Sequence, residues 1–350
     1  MEQHFGFPVE TLLIFFSVVI FCVWLDLRLH RNDTEVSLAN ATGWSIFWVV
    51  WALTFYVYLR LRFGTDYASL FLSGYVLEKS LSVDNLMVFM AIFASFSIRG
   101  ALQHRILYFG VIGAVVFRMI FVAFGTGLFG LSPWMGFLFA AIVAWTGYKM
   151  LVEDGGEEEI EDYSDHWSVR LTKRLLPIFP RLHQNRFLLT HHEYEAMKAQ
   201  DNRLQVTWKW KAAVYATPML LCLVCIEVSD IMFSFDSVPA VIAVTREPLL
   251  VYTSVIFAIL GLRSMYFVLL AAAKYLCHLQ TAVALLLFFI AGKLVLQASD
   301  HLFAWPGFHI SSNTSLLIIL GTLALGVLAS LVFPEKALVE VKEKSAEGNT

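Results

Sequence analysis

Charge is what this chain has least of. Of its 350 residues, 15% are Asp, Glu, Lys or Arg, where a soluble domain carries about 25%. No segment concentrates Lys and Arg as a nucleic-acid surface does, and the net charge is only −3, so nucleic acid is not an expected partner. Cysteine is also scarce. Cys22, Cys222, Cys225 and Cys277 all lie in apolar segments, which argues against a disulfide framework. Cys222-x-x-Cys225 has apolar neighbours within one helix and reads as two packed thiols, not a soft-metal or redox pair. The apolar segments hold no His cluster that would make a zinc or copper site. His192-Glu193 lacks the second His of a zinc protease helix, and no Gly-x-Gly-Asp pattern accompanies the aspartates, so the chain is read as not an enzyme. The first apolar run, about 12–25, has no positive residue before it and no small-residue cleavage site after it. It reads as a retained helix and not a removed signal.

What is present is apolar surface: 58% hydrophobic residues, with 30 Phe and 10 Trp. Stretches near the roughly 20 residues that span a bilayer recur down the chain. They predict an all-α polytopic membrane protein with about nine transmembrane helices, near 9–27, 44–63, 70–97, 104–124, 134–152, 212–236, 249–271, 276–297 and 313–333. The expected organisation is a peripheral first span and loop (1–43), spans two to five (44–152), a polar loop (153–211), spans six to eight (212–297), a last span (298–334) and a polar tail (335–350).

The polar loop opens on an acidic run (Glu153, Asp154, Glu157, Glu158, Glu159, Glu161, Asp162, Asp165) that reads as a solvated linker, or else as a means of concentrating cations at the cytoplasmic mouth. Its Trp167–Pro180 part carries Arg170, Lys173 and Arg174 beside Leu and Phe. It fits either a short interfacial helix or a basic cytoplasmic loop. His183, His191 and His192 read as surface residues. Arg28, Arg31, Arg99, Arg105, the basic part of the loop, Lys274, Lys336, Lys342 and Lys344 fall on one side; only Arg60, Arg62 and Arg246 fall on the other. The positive-inside rule places the N-terminus outside and the C-terminus in the cytoplasm.

The chain also repeats itself. Glu78-Lys-Ser-Leu-Ser82-Val-Asp84-Asn85 matches Asp230-Ile-Met-Phe-Ser234-Phe-Asp236-Ser237. Arg118 answers Arg263 in the next span, and Gly147-Tyr-Lys149 answers Gly292-Lys293 in the span after. Each unit (about 70–152 and 212–297) holds three spans, so the second enters the membrane reversed. The expectation is a 3+3 inverted-repeat core, the architecture of many secondary transporters, with a midplane site where the repeats meet.

The predicted spans contain the acids Glu78, Asp84, Glu227, Asp230 and Asp236 and the bases Lys79, Arg118, Lys149, Arg263 and Lys293. Each charge at the bilayer centre costs at least about 2.5–3.5 kcal/mol unless it meets a partner or water. The charges could pair only to hold the bundle together, but a structural network of that kind is replaceable by apolar packing, and this one occurs twice in the same order. Glu227, Asp230 and Ser234 share one helical stripe, whereas Asp236 points roughly 120° away from Asp230. Both aspartates reach one site only if the helix unwinds, as Pro239 would favour by freeing the Phe235 carbonyl, or if both repeats contribute. Carboxylates, Asn85, Ser hydroxyls and carbonyls are hard donors suited to Mg²⁺, Ca²⁺ or Mn²⁺. The same carboxyls could carry protons.

Three motifs carry a resemblance. Leu77-Glu-Lys-Ser-Leu-Ser-Val-Asp-Asn-Leu86, Phe235-Asp-Ser-Val-Pro-Ala240 and Ile256-Phe-Ala-Ile-Leu-Gly-Leu-Arg263 are similar to the signature of the TerC family of integral membrane proteins. The resemblance runs over about 45–333, and the length and acidic loop are closest to the family's tellurium-resistance members. It implies membership of a larger group of cation and amino-acid exporters. It also implies manganese efflux as in several relatives, and tellurite resistance alongside cytoplasmic tellurium-resistance proteins gathered at the membrane. Tellurite is an oxyanion that an acidic midplane would repel, so a divalent cation is the expected substrate, Mn²⁺ first, with Ca²⁺ or Mg²⁺ as alternatives. The expected metal ligands are Glu78, Asp84, Asn85, Glu227, Asp230 and Asp236, with Ser82, Ser234 and Ser237 supporting. Arg118, Lys149, Arg263 and Lys293 would balance the charge of the empty site. The competing expectation is a scaffold that transports nothing and recruits cytoplasmic tellurium-resistance proteins through 153–211.

Overall fold

The computed structural model describes residues 37–332 apart from 133, 154–162, 183–184, 201–211, 273–277 and 304–309, together with scattered positions before 37. Most of the first expected span, most of the acidic run, His183, Cys22, Cys277 and the tail lie outside the described residues.

Helix α1 (Leu38–Phe63) starts where the Ser37 hydroxyl accepts the Asn40 N–H at 3.3 Å, the usual N-cap bond. Helix α2 (Thr65–Ser95) follows directly and carries the first acidic motif. Helices α3 (Ala101–Leu131) and α4 (Trp134–Glu153) complete the first unit. Between α4 and the next long helix lie α5 (Trp167–Leu175) and α6 (His191–Gln200). Helix α7 (Pro218–Thr245) opens with proline in its first turn, where a missing N–H costs nothing. It is followed by α8 (Pro248–Ile259), α9 (Leu262–Ala272), α10 (Leu279–Phe303) and α11 (Ser312–Val332).

Helices α2 and α7, the two motif carriers, pack against each other. Helix α3 lies on α7, α8 lies on α2, and α4 lies along α10. The interior is continuous and apolar: Leu77, Phe93, Val143, Ile226, Val241 and Leu287 share one core. A second core joins α1 to α2 and α8 through Trp48, Phe55, Phe71 and Phe257. Phe124, Trp145, Leu317 and Leu325 remain exposed on the outside of the bundle, the surface that a bilayer would cover.

Among the described residues, six helices are long and apolar enough to cross a membrane, or seven if α8 and α9 form one bent span. Helix α2 is not among them because Asp66, Glu78, Lys79 and Asp84 lower its hydropathy. The single helix expected over 249–271 is instead broken, with a bend of 54° between α8 and α9. Gly261 has φ +79° there, and the Trp48 ring fills the space a Cβ would need. Lys79 completes the break: its Nζ donates to the carbonyls of Ala258 at 3.0 Å and Leu260 at 3.4 Å, groups a helix end leaves without an intrahelical donor. Of the two routes left open for joining the aspartates, the unwinding that Pro239 would favour does not occur. Helix α7 runs through it, because a proline removes only one internal bond and buried neighbours hold the turn.

Beyond the acidic run, the polar loop contains packed structure. Leu188–Thr190 pairs antiparallel with Val214–Ala216, and Phe179, Leu189, Tyr194 and Tyr215 form a small core. Helix α6 begins with a capping box: Thr190 N–H and hydroxyl donate to Glu193 Oε2 at 2.9 and 3.0 Å, and Glu193 N–H returns a 3.4 Å bond to Thr190. Helix α5 buries Val169 and Thr172 and exposes Trp167, Leu171 and Leu175, an apolar stripe beside Arg170, Lys173 and Arg174. His191 lies flat against Tyr215 at 6.1 Å.

Candidate functional site

At the crossing of α2 and α7 a single guanidinium binds two acids. Arg118 comes from the middle of α3, 1% exposed. Its Nη2 donates to Asp230 Oδ1 at 2.8 Å and its Nε to Oδ2 at 3.3 Å, the fork geometry that distinguishes arginine from lysine. Its Nη1 forms an ion pair with Glu78, which is fully buried. Ser237 Oγ donates to Glu78 Oε1 at 3.4 Å. Thus the first acid of each motif meets the arginine of the first unit, and the second unit contributes a motif serine. Such a triad survives burial only because each charge finds a partner.

The motif serines behave alike in both helices. Ser82 Oγ donates to the Glu78 carbonyl and Ser234 Oγ to the Asp230 carbonyl, each at 2.8 Å. These i−4 bonds satisfy the hydroxyl proton and leave oxygen lone pairs to accept or ligate.

The second aspartates lie apart from the triad. Asp236 is half-buried and faces the Thr146 hydroxyl and the Lys149 ammonium of α4. Asp84 is half-buried on α2, next to the buried Asn85. Arg263 is buried, its guanidinium carbon 5.8 Å from the Tyr108 ring centre. Lys293 is 5% exposed and donates to Ser315 Oγ at 3.0 Å. Glu227 sits one turn before Asp230, with its carboxyl over Gly113 of α3 in the space a Cβ would occupy. The structure therefore brings Glu78, Asp230, Arg118 and Ser237 together and sets Asp236 with Lys149. Among the described residues no three His, Cys, Asp or Glu side chains form a ready metal cage. Cys222 and Cys225 are buried free thiols.

Sequence reasoning passed over Gly113, Thr146 and the bond from Lys79 to the helix break. Gly110 and Gly113, one turn apart on α3, were the available signal of close helix approach. Nothing local marked Lys79, whose carbonyl partners are about 180 residues away.

These features define a polytopic α-helical membrane protein with a buried, mutually neutralised acid–base cluster between two long helices. Residues 63–338 match the model of the "Integral membrane protein TerC family", and the chain belongs to that family. It is similar to the tellurium resistance protein TerC of an Alcaligenes species, 52% identical over 98% of this chain and 99% of the relative. The protein of the same name in Serratia marcescens is 51% identical over the same shares. The chloroplastic thylakoid membrane protein TERC of Arabidopsis thaliana is 37% identical over 80% of this chain and 65% of its own length. No solved structure matches.

Proposed function

We propose that this chain serves tellurium resistance by exporting a divalent cation, Mn²⁺ first, through an acidic site at the middle of a bacterial inner membrane. The observation that carries the reading is Arg118 bound by Glu78 and Asp230. A positive side chain held between acids of both motif helices stands where a metal cation would be neutralised. Loading would displace the guanidinium and gather Glu78, Asp84, Asn85, Glu227, Asp230 and Asp236 around the ion, with the Ser82, Ser234 and Ser237 oxygens completing its shell. Arg118, Lys149, Arg263 and Lys293 balance the acids when no ion is bound.

The 3+3 inverted repeat is supported by the packing. The α3–α7 and α2–α8 contacts are counterparts under exchange of the units, and the α2–α7 and α4–α10 contacts each map onto themselves. The matched serine bonds support it as well. A nine-span chain, N-terminus outside and C-terminus cytoplasmic, follows if α2 and the 9–27 segment join the seven spans of suitable composition. The module between α4 and α7 then faces the cytoplasm, where tellurium-resistance partners would dock.

The test is metal uptake into inside-out vesicles containing wild type, Asp84→Asn or Asp236→Asn. Mn²⁺ accumulation by the wild type that both variants lose is the expected result. If no divalent metal moves under any gradient, the export reading fails and the scaffold reading replaces it.

A further inference from the structure

Between α4 and α7, helix α5 presents a face that no part of the described chain covers. At about 100° per residue its side chains divide into three sectors. Ser168, Val169 and Thr172 are buried and turn to the protein. Trp167, Leu171 and Leu175 fall within about 80° of one another on the next arc, and all three are exposed. Arg170, Lys173 and Arg174 fill the third arc and are exposed as well. The helix has no acid of its own. Among the described residues no ion pair engages its three bases, and Lys173 only donates to the Ser164 carbonyl at 3.3 Å.

The helix is fixed at one end of the bundle. Val169 belongs to the main core, and α5 packs on α7. The turn before it, Tyr163–Asp165, packs on α2, whose final residue, Ser95, accepts the Tyr163 N–H at 3.2 Å. The chain beyond α5 returns to the start of α3. There Phe187 packs edge-on against Phe109 with ring centres 5.1 Å apart, and Arg105 lies over the same ring. Phe109 is itself exposed on the flank that a bilayer would cover. The apolar arc of α5 thus sits where the spans end and hydrocarbon gives way to headgroups.

The chemistry of the face selects one occupant. Water would leave the apolar arc uncovered, and hydrocarbon would strand the bases. Tryptophan favours the membrane–water interface. Arginine and lysine lay their apolar stems on hydrocarbon and carry their charge to the polar layer. A helix with an apolar face and a basic flank binds the boundary of an anionic membrane. Helix α6 of the same module offers no such face: it buries Tyr194, exposes His192, Glu195 and Ala196, and mixes both signs of charge.

We propose that α5 binds the headgroups of anionic phospholipids, with Trp167, Leu171 and Leu175 seated in the adjoining leaflet and Arg170, Lys173 and Arg174 on the phosphates. The lipid holds the module between α4 and α7 against the membrane. This concerns the module and not the passage of an ion, so it goes beyond the export reading and does not depend on it.

The test is hydrogen exchange of the full chain in nanodiscs of phosphatidylcholine alone and of phosphatidylcholine with phosphatidylglycerol. Mass spectrometry reads the amides of α5 and, as an internal reference, those of α6. Phosphatidylglycerol should slow α5 exchange about tenfold, since each basic side chain near an anionic surface strengthens binding several-fold, and should leave α6 unchanged. Raised salt should reverse the slowing, and Arg170→Gln/Lys173→Gln/Arg174→Gln should abolish it. Exchange of α5 that is equal in both lipids overturns the proposal and leaves the face to a cytoplasmic protein. Equal slowing of α6 overturns it as well, because the lipid then stiffens the whole chain. Inorganic phosphate added to phosphatidylcholine nanodiscs tests a free anion: slowing as large as that from phosphatidylglycerol overturns the assignment to lipid. Persistence of the slowing in the triple variant removes the basic arc from the site and overturns the proposal. The comparison of lipids in the wild type stands without that variant.

Discussion

Glu227 and Gly113 form the tightest constraint at the scale of single residues. The glutamate occupies the volume a Cβ on Gly113 would take, so Gly113→Ala has to move a carboxyl out of a packed helix crossing. Overpacking of this kind costs about 1–3 kcal/mol. Gly113→Ala should therefore lower the melting temperature in detergent, and Gly113→Ala/Glu227→Ala should recover most of that loss. A double variant no better than the single one would show that the glycine is needed for another reason. The glutamate itself was legible, because an acid in an apolar run is conspicuous. Its packing was not: nothing local in the sequence sets its carboxyl against Gly113 of another helix. Tyr75, one repeat interval away, stands where Glu227 stands in the second unit. The acid packed on Gly113 is thus also where the two units differ.

At the scale of elements, the lesson comes from the break that was expected and the one that occurs. Pro239 drew attention to α7, which stays helical, while the Ile259-Leu-Gly-Leu262 stretch, noted only as part of a family motif, bends by 54°. A proline in a buried helix loses one bond, whereas Gly261 at positive φ, wedged by Trp48 and capped from α2 by Lys79, has partners that favour the broken form. Gly261→Ala places a side chain in a conformation costing about 1–3 kcal/mol and drives it into the Trp48 ring. The expected outcome is a clear loss of thermal stability, partly relieved by a second change, Trp48→Ala. An unaffected melting temperature would mean that the bend is not fixed by this contact.

The polar loop yields a pH dependence outside the membrane. The backbone N–H of Thr190 first, then its hydroxyl and Arg186, hold the Glu193 carboxyl below the usual carboxylate range. A depressed folded pKa stabilises above the unfolded value, and that contribution is lost as pH falls through the folded one. Amide exchange in α6 should therefore accelerate on acidification below the normal carboxylate range, and Glu193→Gln should remove that dependence. The Thr-x-x-Glu spacing that announces this cap stood in the sequence beside two histidines that drew the eye instead.

The whole molecule turns on whether α2 crosses the membrane. Composition makes it the least apolar long helix of the bundle, yet Glu78 lies fully buried and Lys79, half-buried, donates to α8 carbonyls. A helix whose charges are satisfied internally does not present them to lipid, so average hydropathy underestimates it. This is why α2 stands among the nine spans read from long apolar stretches and not among the six or seven that length and composition yield for the described residues, which also leave out most of 9–27. The two accounts differ in a measurable way. Arg62→Cys lies just before α2 and Arg99→Cys just after it, and the native Cys222 and Cys225 are buried. An impermeant maleimide should label the first from outside the cell and the second only from the cytoplasmic face of inverted vesicles. Labelling of both from one side would leave α2 unspanned, so that it could not be the inverted counterpart of the spanning α7, and would remove the symmetry on which the midplane site depends.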